Sequence, residues 1–71
     1  MMPLTMAPQG EAVTIRRITG RDEVRQHLAE LGFVVQAQVT VVSRMGKNVI
    51  CQVKDSRIAL DGALANRVMI G

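Results

Sequence analysis

HLAELGFVVQAQVTVV, residues 27–42, contains the change of period that decides the fold. Up to Leu31 the apolar residues return at helical spacing: Val24, Leu28 and Leu31 stand at i, i+4 and i+7, a stripe that must face a core. From Gln38 onward the spacing is that of a strand, with Val39 and Val41 on one face. Gly32 lies at the join, where a helix ends most easily in the left-handed conformation, and Phe33 after it can fold back as an apolar anchor. LGF therefore reads as a helix stop followed by a core residue, rather than as chemistry.

Working outward, the helix is predicted over TGRDEVRQHLAELG, residues 19–32. Thr19 followed by Asp22 resembles a capping box, with Asp in place of the usual Glu or Gln. Asp22 and Glu23 put negative charge in the first turn, where the helix dipole favours it. Before the helix, the turn APQGE leads into AVTIRRI. There Val13 and Ile15 alternate until Arg16-Arg17 breaks the pattern, as a bulge or strand end does. After the helix, Met45 to Asn48 (MGKN) supplies a tight hairpin turn. Val49, Cys51 and Val53 alternate on the return strand. KDS, residues 54–56, makes a second turn into a strand carrying Ile58 and Leu60. DGALAN, residues 61–66, reads as a turn or a single helical turn before the last strand, RVMI, in which Met69 is expected in the core. The prediction is a single domain over residues 1–71, mainly β, a partly open barrel of about five short strands with one helix after the first. Residues 1–7 are expected to be partly disordered.

Seventy-one residues close one small core and leave the surface as the place for function. The single cysteine, Cys51, excludes an internal disulfide; in an apolar strand it reads as a small buried hydrophobe and suits a reducing cytoplasm. No segment approaches the ~20 apolar residues that span a bilayer, and MMPLTMAPQG lacks the basic region of a secretory signal. A soluble cytoplasmic protein, not inserted in a membrane, is expected. Nine Lys and Arg against six Asp and Glu give a formal charge of +3. The cations are scattered along the chain and Phe33 is the sole aromatic, so no base-stacking platform exists and nucleic acid is not the expected partner. A weak nucleic-acid-binding barrel is only the third reading.

Catalytic constellations are missing. One His must serve any proposed base, there is no G-x-S-x-G, H-E-x-x-H or C-x-x-C, and the isolated glycines form no phosphate cradle, so an enzyme is not expected. Glu23, His27 and Glu30, at i, i+4 and i+7 on the helix, are the candidate ligands for a divalent transition metal such as Fe²⁺. Their plainer reading is a surface Glu-to-His pair that adds about 0.2–0.5 kcal/mol to the helix. Met45, an apolar residue at a tight turn between Arg44 and Lys47, has no packing partner implied by the sequence; these three are the candidate partner contacts.

The order of elements also carries a family resemblance. The Pro8-Gln9-Gly10 turn, a basic strand ending at Ile18, HLAELGF at the helix end, the VTVV strand, the Gly-containing hairpin, and RIAL followed by Ala65 and RVMI together resemble the FeoA family, ferrous iron transport protein A. Many relatives carry a glycine shortly after LGF, where this chain has Gln36. The resemblance implies an SH3-like β-barrel of the kind also appended to iron-dependent repressors. It implies a non-catalytic cytoplasmic accessory that docks on the ferrous iron permease with its cytoplasmic GTPase domain. No cofactor is expected beyond weakly bound Fe²⁺ or another divalent transition metal. A metal-sensing domain using Glu23, His27 and Glu30 is the alternative, and the oligomeric state is left open.

Overall fold

Strand alternation and one amphipathic helix account for the architecture. The computed structural model describes residues 1–71. It runs β1 (Met2–Pro3), a 3₁₀ turn (Leu4–Met6), β2 (Ala12–Ile18), α1 (Asp22–Glu30), β3 (Gln38–Met45), β4 (Asn48–Val53), β5 (Ser56–Leu60), α2 (Gly62–Ala65) and β6 (Val68–Ile70). The six strands form one sheet in the order β1-β6-β2-β3-β4-β5, with every neighbouring pair antiparallel. The five strands expected from sequence are all present, and β1 is the addition.

β2 is the strand that bends the sheet. Ala12, Val13 and Thr14 pair with β3, whereas Ile15, Arg17 and Ile18 pair with β6, and the register shifts between Ile15 and Arg17. A bulge at a change of partner lets one strand serve two halves of a curled sheet. The slip at Arg16-Arg17 in the sequence marks that place. Inside the curl lie fourteen buried residues, all apolar, among them Ile15, Leu28, Phe33, Val39, Val41, Val49, Cys51, Val53 and Leu60. The alternation in β4 is complete, with Val49, Cys51 and Val53 inward. In β6, Val68 and Ile70 take the inward positions, so period two turns Met69 to the other face, where it is half-buried rather than core.

The helix stop is built as its sequence indicates. Leu31 is the last αR residue, and Gly32 has φ +103°. The Gly32 amide donates to the Ala29 carbonyl (3.0 Å) and the Phe33 amide to the Leu28 carbonyl (2.9 Å), the paired bonds of a Schellman motif. Phe33 is fully buried, and Leu28 is the buried member of the helical stripe, with Val24 and Leu31 packed at its margins.

The helix start differs from expectation. Arg21, without a side-chain bond, is the N-cap, and Thr19 caps nothing. Instead the Thr19 amide and hydroxyl both donate to the Arg67 carbonyl (2.8 and 3.3 Å), tying the end of β2 to the approach of β6. That tertiary contact outcompetes a local cap. Asp22 and Glu23 still occupy the first turn.

Residues 1–7, expected to be partly disordered, are docked along most of their length. Met2 and Pro3 pair with Ile70 and Met69, and Leu4 and Ala7 are buried. The hairpin at MGKN closes as predicted, with Gly46 (φ +60°) and Lys47 between β3 and β4.

Candidate docking surfaces

Two grooves mark the surface, one beside the β3–β4 hairpin and one beside α1. The first, of about 670 Å³, is lined by Thr5, Arg44, Lys47, Asn48, Asp61 and Asn66 among others. Its polar side chains are largely committed to holding the fold. Arg44 donates through one guanidinium nitrogen to the Thr5 carbonyl (3.1 Å) and the Ala7 carbonyl. Thr5 donates from its hydroxyl to the Asn66 side-chain oxygen (2.7 Å), and the Asp61 carboxylate accepts from the Leu64 amide (2.8 Å) as the N-cap of α2. Of the three residues proposed from sequence as partner contacts, Arg44 is thus a strap on the N-terminal segment. Met45 is 68% exposed and Lys47 is exposed, so the hairpin tip itself stays open to solvent.

The second groove, of about 400 Å³, is lined by Arg16, Arg17, Ile18, Arg25, Ala29, Phe33, Val34 and Val35. The bulge in β2 places Arg16 and Arg17 both outward, because the extra residue cancels the alternation that would have turned one of them into the core. Arg25 and Ala29 stand four apart on one face of α1, and the small Ala29 leaves the groove open there. Val34 and Val35, just past the Schellman turn, are 39% and 50% exposed. Arg25 approaches Asp22 at 3.5 Å across an exposed i, i+3 pair; Arg16 and Arg17 make no ion pair. No carboxylate lines the groove. In the sequence, Arg16-Arg17 and the slip in alternation mark a bulge or strand end but name no partner across from it. Combining the two signals would have located this wall; Val34 and Val35 gave no signal of their own.

The proposed metal ligands do not come together. Glu23, His27 and Glu30 are all exposed on α1, and no group of three or more His, Cys, Asp or Glu is placed to hold a metal ion. The reason is axial: residues seven apart on a helix share a direction but stand about 10 Å apart along the axis, so each side chain sits on its own turn. Cys51 is free and fully buried, as read from sequence. Desolvation pushes its thiol from 9.0 up to about 11, with the Arg44 guanidinium pulling weakly the other way, so it is protonated and unreactive at neutral pH. No helix is long and apolar enough to cross a membrane.

The family model described as FeoA domain matches residues 2–71. A Methanocaldococcus jannaschii protein named for Fe(2+) transport, transport protein A, is 30% identical over 70 residues, covering 99% of this chain and 85% of the relative. A crystal structure of an iron uptake regulatory protein, FeoA, is similar with a TM-score of 0.88 at 29% identity, over 96% of this chain and 92% of that one. The zinc complex of Stenotrophomonas maltophilia FeoA, described as a prokaryotic SH3 domain protein, gives a TM-score of 0.87 at 27% identity, over 100% of this chain and 91% of that one. A manganese-dependent transcriptional repressor shares the fold over 39% of its own length, with a TM-score of 0.86 at 15% identity. The curled sheet with its single long helix is the small SH3-like fold these proteins share.

Proposed function

Because the chain belongs to the FeoA domain family, we propose that it serves ferrous iron uptake as a cytoplasmic accessory, docking without catalysis on the membrane iron permease and its GTPase domain. The observation that carries this reading is the make-up of the interior. All fourteen buried residues are apolar, so every charged and hydrogen-bonding side chain that could recognise something lies on the outside. Such a domain works by the surfaces it offers. With 4434 Å² of accessible surface in all, it can give a partner only several hundred Å², which belongs to weak, transient complexes. The open hairpin tip at Met45 and Lys47 and the flank of α1 are the surfaces free to make contact.

The test is an NMR titration of the labelled chain with the cytoplasmic region of the ferrous iron permease from the same organism. Reversible shifts confined to the hairpin tip and the α1 flank are expected. An unchanged spectrum with the permease region in large excess would overturn the reading.

A further inference from the structure

From the groove between β2 and α1 we infer a docking site for a short acidic, amphipathic peptide segment of a partner protein, one presenting aliphatic side chains flanked by carboxylates. This deepens the docking reading above and rests on it, by naming the surface and the chemistry of what it takes. Five of the eight lining residues are apolar and the other three are arginines, with no carboxylate among them. Ile18 is half-buried at the inner part, over the fully buried Phe33, while Val34 and Val35 stand 39% and 50% exposed at the mouth, where an aliphatic side chain can cover them. Arg16 and Arg17 are exposed and free of ion pairs, and Arg25 is held only by an exposed contact to Asp22. Guanidinium groups beside an apolar floor match carboxylates beside aliphatic carbon, because the planar fork binds a carboxylate through two parallel hydrogen bonds.

Other occupants fit less well. A second copy of this chain docked groove to groove would bring its own three arginines against these. Single-stranded nucleic acid is held by bases stacked on exposed aromatic faces, and Phe33, the chain's one aromatic, is fully buried. A bilayer needs apolar groups that protrude, whereas these valines border a concavity of about 400 Å³. The feature that creates the site is also the one that interrupts β2: without the bulge between Ile15 and Arg17, two successive arginines could not both face outward.

The probe is a synthetic amphipathic peptide of about three helical turns, built from Leu, Glu and Ala and capped at both ends. Its counterpart carries Lys in place of Glu, and phosphatidylglycerol vesicles are the third probe. The acidic peptide is expected to shift the amides of Arg16, Arg17, Arg25, Val34 and Val35. Its affinity should fall about tenfold or more in Arg17→Glu and in Val35→Asp, and fall with added salt. Both variants change exposed side chains, and an otherwise unchanged amide spectrum confirms that they fold. The Lys peptide should leave the groove unshifted. The inference is overturned if the acidic peptide leaves the groove unshifted at millimolar concentration, if Arg17→Glu binds it as tightly as the parent, or if the vesicles alone shift the groove. The permease titration separates the two readings. Equal binding of the permease region by Arg17→Glu and the parent removes the groove and leaves docking standing; peptide binding without permease binding does the reverse.

Discussion

At the scale of single residues, Gln36 shows how the fold overrules a side chain's preference. The Gln36 amide donates to the Ile15 carbonyl (2.8 Å), and the Ile15 amide donates to the Ala37 carbonyl (2.9 Å). Held by those two bonds at the turn into β3, Gln36 takes φ +78°, a region that costs a residue with a Cβ about 1–2 kcal/mol. This is the position where a glycine would relieve the strain, partly offset by its greater freedom in the unfolded chain. Gln36→Gly is expected to stabilise the protein by up to about 1 kcal/mol, a rise of about 4–8 °C in Tm measured by thermal unfolding. Cys51 gives a second prediction. Its thiol keeps a proton in the folded state up to about pH 11, whereas the unfolded thiol loses it above 9.0. The native state binds more protons in that window, so the stabilising contribution is complete below pH 9 and declines between 9 and about 11. Denaturant unfolding at several alkaline pH values should show a steeper loss for the parent than for Cys51→Ala. At neutral pH the native thiol should resist alkylation.

At the scale of elements, the N-terminal segment is the piece whose role changes most on folding. β1 adds a strand beside β6, Leu4 enters the core with no accessible surface, and Arg44 and Asn66 hold the turn between them. Removing a buried leucine side chain costs about 2–5 kcal/mol, through lost transfer energy and the cavity left behind. Leu4→Ala is therefore expected to destabilise by about 3 kcal/mol in equilibrium unfolding, while the same change at the exposed Met6 should be close to neutral. Equal, near-zero effects at both positions would mean that this segment does not pack. α1 is fixed from its C-terminal end by the Schellman bonds and Phe33, and loosely at its start, where Arg21 supplies no side-chain cap. Amide exchange should accordingly be faster in its first turn than in its last.

At the scale of the whole molecule, charge and apolar surface meet on one flank. The chain carries a formal +3, and the β2–α1 groove gathers Arg16, Arg17 and Arg25 with no acidic lining residue. Cations scattered along the sequence are thus brought together on one flank, because the β2 bulge and one face of α1 meet there. A partner drawn to that flank meets an exposed, screened field. Binding to the permease cytoplasmic region should therefore weaken as salt rises from about 0.05 to about 0.5 M. Isothermal titration at both ionic strengths checks this, and affinity indifferent to salt would point to the exposed, apolar Met45 side chain as the contact.

Local chemistry along the chain already encodes much of the fold. The helix stop at Leu31-Gly32-Phe33, the alternating strands, the two-residue hairpin at Gly46-Lys47 and the bulge at Arg16 all depend on neighbours a few residues away. Period, turn residues and breaks in alternation record such things directly. The sequence also carried the family through the combined motifs from Pro8 to Ile70. Where Thr19, Arg44 and Leu4 bond and pack emerges only on folding, since their partners are Arg67, the Thr5 and Ala7 carbonyls, and a core built by distant strands. The candidate site divides in the same way. Glu23, His27 and Glu30 share a helical face in projection, but rise along the axis keeps them apart. Arg16, Arg17, Arg25, Val34 and Val35, unrelated as a pattern, become one groove because the curl of the sheet carries β2 alongside the helix. Local conformation is a property of neighbours in the chain, and a surface is a property of neighbours in space.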